Sequence, residues 1–179
     1  MRILKIIFVF LGIVFALPLI LGAFTKNEYA VEREISINKP KQEVFDYLRH
    51  LKNQDDFSKW ANMDPDMEKT YSGTDGTVGF VAGWKSDNED VGVGEQEIAA
   101  IKNGERIDLD LRFTEPFEAS DKAYFITEST GSNQTKVTWG FKGRMDYPMN
   151  FMLVFMDMEK MIGDDYNVGL ENLKAKLEE

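Results

Sequence analysis

The chain has 179 residues, of which 43% are hydrophobic, 29% charged and 12% aromatic. That is ordinary globular composition, and it excludes a collagen-like, low-complexity or wholly disordered protein. Lysine and arginine total 21 against 31 acidic residues, a formal charge of -10, the wrong sign for wrapping nucleic acid. The absence of cysteine excludes a disulfide framework, thiolate zinc sites and a cysteine nucleophile.

Apart from Lys5, Ile3 to Phe24 carry no charged side chain, and a helix of that length reaches about 33 Å, enough for a bilayer core. Pro18 and the glycines are tolerated in a spanning helix. A cleaved signal peptide is the rival, but its apolar region is usually about 7 to 15 residues and ends in a small-x-small site. Here the corresponding triplet is Leu21-Gly22-Ala23, with leucine where a small residue belongs. The sequence therefore predicts a retained anchor, dividing the chain into residues 1–26, the anchor with its flanks, and residues 27–179, one ligand-binding domain. Arg2 and Lys5 favour a cytoplasmic N-terminus with the domain outside, periplasmic or extracellular; Lys26 on the far side weakens that bias. Residues 27–179 hold 18 basic and 31 acidic groups, so the domain is repelled by an anionic membrane surface.

After a short link, Thr25 to Tyr29, the run Glu32 to Ile37 alternates as a strand. Pro40 then sits in the first turn of a helix, where its missing N–H costs little. Val44, Phe45, Leu48 and Leu51 make that helix's apolar face. A second short helix is predicted around Asp56 to Ala61, closed by Asp64-Pro65.

From Met67 to Gly143 the pattern has period two, which predicts antiparallel strands at Met67–Ser72, Thr77–Lys85, Val91–Lys102, Glu105–Thr114, Ala119–Ser129 and Thr135–Gly143. With the first strand this makes seven. Asn103-Gly104 reads as a two-residue type I′ turn, setting Lys102 against Glu105, Ala100 against Ile107, Ile98 against Leu109, Gln96 against Leu111 and Gly94 against Phe113. Gln96 is then polar on an otherwise apolar inner row, while Glu95 and Glu97 face outward with Arg112. Val78, Phe80, Ala82 and Trp84 form one inner row, and Val137, Trp139 and Phe141 another. After Pro148, the spacing of Phe151, Phe155, Met158, Ile162, Tyr166, Leu170, Leu173 and Leu177 predicts one long C-terminal helix. Gly163 and Gly169 mark a kink or close packing in it.

A strand, two short helices, six further strands and a long helix predict an α+β architecture, a curved seven-stranded antiparallel sheet wrapped around the C-terminal helix behind an N-terminal membrane helix. The residues Ile37-Asn38-Lys39-Pro40 with Val44-Phe45, Trp60, Pro65, Gly92 to Ile98, Thr138-Trp139, Met161-Ile162-Gly163 and Gly169-Leu170 with Leu173 fit one family pattern. Over about Tyr29 to Leu177 the chain resembles the helix-grip fold of the START-like, or SRPBCC, superfamily, and within it the membrane-anchored proteins grouped with polyketide cyclase and dehydratase-like domains. That resemblance implies a deep hydrophobic cavity for a lipid, sterol or polyketide-like molecule between sheet and helix. Enzymes are a minority of the superfamily and their catalytic residues differ, so none is carried over to this chain.

The candidate lining is aromatic, with Trp60, Phe80, Trp84, Phe113, Trp139 and Phe141 joined by Leu111, and Gln96 as the placed polar contact. Met152, Phe155 and Met158 supply an adaptable wall of the kind flexible thioethers suit. Plain core packing is the competing account for each aromatic. A helix that covers the sheet on one side and meets the bilayer or a partner on the other accounts equally for the apolar run Met149 to Met156.

Catalytic signals are sparse. His50 is the only histidine, on the polar side of its helix, and there is no Gly-x-Ser-x-Gly elbow. Glu95, Glu97 and Tyr124 are the available acid–base groups, two of them outward by register. Asp87-Asn88-Glu89-Asp90 lacks the ligand spacing of a calcium loop. No cofactor or metal is implied. The expected partners are a hydrophobic small molecule or lipid and, through the N-terminal helix, a membrane; nucleic acid is not expected, and the sequence leaves a protein partner open. The favoured reading is a non-catalytic binding domain; a cyclase or dehydratase-type enzyme and a protein-interaction or stress-related accessory domain are the alternatives.

Overall fold

A computed structural model describes residues 2–179. The apolar segment forms α1, Arg2–Phe24, in which only Gly22 is buried. The first strand, β1, runs Glu28–Ile37, four residues earlier than the sequence alternation suggested, so the link shrinks to Thr25–Asn27. The extra residues keep period two, with Val31 and Ile37 buried. Helix α2, Lys41–Leu48, buries Val44, Phe45 and Leu48, the face expected from their spacing.

The second short helix is broken in two, α3 at Gln54–Phe57 and α4 at Lys59–Met63. Ser58 between them is extended. The break has a partner in the C-terminal helix α5, Met158–Glu178: Asn172 Nδ2 donates to the Phe57 carbonyl at 3.2 Å. Phe57 itself is fully buried.

Strands β2 (Glu68–Ser72), β3 (Val81–Lys85), β4 (Val93–Lys102), β5 (Arg106–Glu115), β6 (Ala119–Gly131) and β7 (Gln134–Arg144) complete an antiparallel sheet ordered β1-β7-β6-β5-β4-β3-β2. β3 starts later than its apolar row suggested. Gly76 and Gly79 take positive φ, the chain turns there, and Val78 is 60% exposed. Phe80 still belongs to the ladder, its carbonyl accepting from Ile98 N at 3.0 Å.

The β4–β5 hairpin departs from the predicted register near its turn. Lys102 pairs with Arg106 and Ile101 with Ile107, whereas Ile98 faces Leu109, Gln96 faces Leu111 and Gly94 faces Phe113 as expected. The reason lies on β6. Thr127 donates from its backbone N to Glu105 O at 2.9 Å and from Oγ1 to Gly104 O at 3.1 Å. Those bonds draw Glu105 into a three-residue loop, and a bulge between Ile98 and Ala100 absorbs the extra residue. Ile101 consequently packs against the core while Ala100 is exposed.

The C-terminal stripe is also interrupted. Met149–Val154 is a 3-10 segment, and α5 starts only at Met158, where the Asp157 side chain accepts from Lys160 N at 3.0 Å. An aspartate in this position satisfies a free N–H of a new helix and so favours a fresh start. Tyr166, Leu170, Leu173 and Leu177 form the buried face of α5, which lies over the inner face of the sheet. Both helix glycines mark close packing: a Cβ at Gly163 would run into the Arg33 guanidinium, and one at Gly169 would lie 2.7 Å from Trp139 Cζ3.

The outer face of the sheet is a charged ladder. Arg112 donates to Glu95 at 2.6 Å and Glu97 at 2.8 Å, Lys136 pairs with Glu34 and Glu128, and Tyr124 donates its hydroxyl to Glu32. Exposed pairs of this kind add little stability each, but they keep this face wet and assign the apolar residues to the other.

Candidate functional site

The inner face of the sheet does not close completely on the helices. A cavity of about 290 Å³ remains between it, α3–α4 and α5, at the lower end of the size range of small-molecule sites. Its floor follows from strand alternation. Ala82, Gln96 and Leu111 stand opposite one another across β3, β4 and β5, and Leu109, Ala123 and Phe141 across β5, β6 and β7. Two alanines where neighbouring rows carry larger side chains leave floor space unfilled. Trp84 and Phe113 meet edge to face with centroids 5.8 Å apart.

The opposite side is an aromatic wall. Tyr166 of α5 stacks on Trp139 with centroids 4.1 Å apart and planes 14° apart, and Trp60 of α4 meets both edge-on at 5.8 and 6.4 Å. Phe57 and Phe125 brace Trp139 from behind at 5.7 and 5.0 Å. Rings held from several sides keep their shape when a ligand arrives.

One polar pair lies on this surface. Gln96 Nε2 donates to Gln54 Oε1 at 3.1 Å. Gln54 is 9% exposed, and its Nε2 is buried without a hydrogen-bond partner. A buried amide donor left unpaired costs on the order of 1–3 kcal/mol. At one rim Asp55 pairs with Lys69 at 2.9 Å, and burial together with Asp55 raises the pKa of Tyr71. Burial likewise pushes the Tyr166 hydroxyl well above its ordinary range, so it is a neutral group at the pH of the cell.

Of the residues singled out from sequence, Trp60, Trp84, Gln96, Leu111, Phe113, Trp139 and Phe141 line the cavity. Phe80 does not. It is 1% exposed and stacks on Tyr71 at 6.1 Å, consumed by core packing. Met152, Phe155 and Met158 also lie elsewhere: the break before α5 detaches the first two from the stripe that faces the sheet, and Met158 is the first residue of α5. Phe155 is 71% exposed. Glu95, Glu97 and Tyr124 are on the outer face, away from the cavity. Burial, and then the Glu32 carboxylate, pushes Tyr124 up to about 12.

Gln54, Tyr166 and Asp121 are among the residues that escaped the sequence reading. Gln54 and Tyr166 line the cavity; Tyr166 stood in the helical stripe but was read only as packing. Asp121 was legible from strand parity alone, since it shares the inner row of β6 with Ala123 and Phe125. Burial raises its pKa, partly offset by the hydrogen bond it accepts from Arg144 N. His50 is a surface neighbour of Asp75, and among the described residues no cluster of potential metal ligands occurs.

Solved structures with the same architecture include the Aha1 dimer from Colwellia psychrerythraea, at 16% identity and TM-score 0.58 over 84% of this chain and 96% of that one. Truncated norcoclaurine synthase from Thalictrum flavum aligns at 9% identity and TM-score 0.62 over 84% and 93%. Protein MLL2253 from Mesorhizobium loti aligns at 14% identity and TM-score 0.59 over 83% and 96%. Likeness at such low identity carries the fold alone. No curated protein matches the chain in sequence. The family model described as polyketide cyclase / dehydrase and lipid transport matches residues 29–178, a span that takes in all seven strands but the first residue of β1, and the whole of α5. The chain therefore belongs to the polyketide cyclase/dehydrase and lipid transport family, within the START-like, or SRPBCC, helix-grip fold.

Proposed function

We propose that the protein is a membrane-anchored, non-catalytic carrier that holds a hydrophobic small molecule or lipid between the sheet and α5, with residues 1–26 as anchor and 27–179 as binding domain. The observation that carries this reading is the apolar cavity with a single amide pair on its wall. A space of about 290 Å³ suits a compact ring system or one acyl chain, and is small for a two-chain phospholipid. The anchor rests on the length and exposure of α1, whose apolar side chains find no protein to cover them.

Mass spectrometry of solvent extracts from the purified full chain tests the reading. One recurrent apolar compound is expected, depleted in Ala82→Phe, which fills the floor. Extracts that are the same in both proteins contradict it.

The cyclase or dehydratase alternative has one observation in its favour, the inward Asp121 carboxyl with its raised pKa. It borders the floor through Leu111, its partner in the ladder, without lining the cavity. That alternative requires a chemically altered product from the wild type and an unaltered compound from Asp121→Asn.

A further inference from the structure

The segment that left the cavity wall has a different neighbour. Asn150, 3% exposed, donates through Nδ2 to Gly22 O at 2.8 Å and to Thr25 O at 2.9 Å. These are carbonyls at and just past the C-terminal end of α1, where a helix runs out of N–H donors of its own. Gly22 is covered so closely that a Cβ there would lie 2.8 Å from Asn150 Oδ1 and 3.2 Å from Tyr147 Cδ2. The 3-10 segment is thus joined to the last turn of α1 and sits at the depth where that helix leaves the hydrocarbon.

Its outer surface suits that depth. Residues 147–156 carry no charge, in a chain that is 29% charged. Tyr147, Met149, Val154 and Phe155 are 56%, 49%, 52% and 71% exposed. Aromatic and apolar side chains beside the end of a spanning helix belong to the membrane interface.

We infer that residues 147–155 are a membrane-seated foot, locked to the anchor by Asn150, whose occupant is the bilayer interface. This rests on the reading of α1 as a membrane span. The foot also sets which way the domain faces. The strand register places the start of β1, the end of β7, the β5–β6 turn and the β3–β4 turn along one edge of the sheet. Trp84, Val91 and Phe113, at one end of the cavity, therefore lie along the edge to which the anchor is attached. The foot holds that end toward the lipid, so an apolar molecule has a short path from bilayer to cavity. Because the domain is strongly acidic, apolar contact and not lipid charge holds it there.

The cysteine-free chain allows single-site labelling of the full-length protein in phosphatidylcholine vesicles. Val154→Cys and Phe155→Cys carry an environment-sensitive fluorophore, and Asn133→Cys at the far edge of the sheet is the reference. Doxyl-labelled lipid is expected to quench positions 154 and 155 about twofold or more relative to 133, as shallow insertion requires, and adding Asn150→Ala is expected to reduce that quenching. Labels at 154 and 155 that respond to a water-soluble quencher as 133 does, in protein that still floats with the vesicles, overturn the foot and leave the anchor standing. Shielding from both quenchers points to a protein partner or second copy and equally overturns it. Protein that does not float with the vesicles contradicts the anchor, and the foot with it.

Discussion

Asn150 Nδ2 lies 2.8 Å from the Gly22 carbonyl oxygen, a bond between residues far apart in sequence that joins the apolar helix to the folded domain. A second bond from the same nitrogen reaches Thr25 O, and together they are worth roughly 1–2 kcal/mol of local stability. Asn150→Ala is expected to raise hydrogen exchange at the backbone N–H groups of Thr25 and Met145, which donate to Gly22 O and Asn27 O, roughly tenfold without lowering protection in β6 or β7. Unchanged exchange at the joint would show that the bonds are not what holds it.

The Trp139–Tyr166 stack depends on a missing side chain. Gly169 passes over the Trp139 ring, where a methyl group would sit 2.7 Å from Cζ3. Replacing a helical glycine with alanine gains about 1 kcal/mol of propensity, while overpacking costs about 1–3 kcal/mol. Trp139 is braced by Phe57, Phe125 and Tyr166 and cannot move aside, so the clash outweighs the gain. Gly169→Ala is expected to lower the melting temperature and to perturb the near-ultraviolet circular dichroism of the aromatic wall; a raised melting temperature would refute this account.

Gln54 gives the cavity a chemical preference. Its unpaired Nε2 gains from an acceptor on the ligand, once a small side-chain rotation brings the donor to the cavity surface. Of two probes equal in size, 2-acetylnaphthalene is expected to bind about tenfold tighter than 2-isopropylnaphthalene. Gln54→Met removes the distinction, and Gln96→Met keeps it, because the Gln54 donor survives. Equal affinities in the wild type would show that the amide pair plays no part in selection.

Asp121 gives a pH signature. Burial raises its folded-state pKa, so the group favours folding when protonated. That contribution is complete below the unfolded value of about 3.9 and disappears as pH rises through the folded value. At pH 7 the buried carboxylate is therefore a net cost. Asp121→Asn, which keeps an acceptor for Arg144 N, is expected to melt higher than the wild type at pH 7, with the gap closing as pH falls below about 4. A gap independent of pH would mean that another effect dominates.

Period two carried most of the sheet and half of the site. Val137, Trp139 and Phe141 had to share a face, and Gln96 had to interrupt an apolar row, whatever the turns did. What alternation misses is chain that leaves its periodic track for a partner distant in sequence. Thr127 captures the carbonyls of Gly104 and Glu105, and a compensating bulge exposes Ala100. Asp157 starts a new helix inside an apolar stripe, which moves Phe155 and Met152 from the expected wall to the end of α1. Gln54 lies in a four-residue helix too short to show a period, so its role depends on Gln96 across the fold.

All three tryptophans, Trp60, Trp84 and Trp139, line the same cavity, so their emission reports whether a ligand occupies it. Titration of the full chain with 2-acetylnaphthalene is expected to quench that emission saturably, and Ala82→Phe is expected to abolish the response while leaving the melting profile cooperative. Emission that does not change in the wild type, or that changes equally in Ala82→Phe, would contradict a ligand held between the sheet and the C-terminal helix.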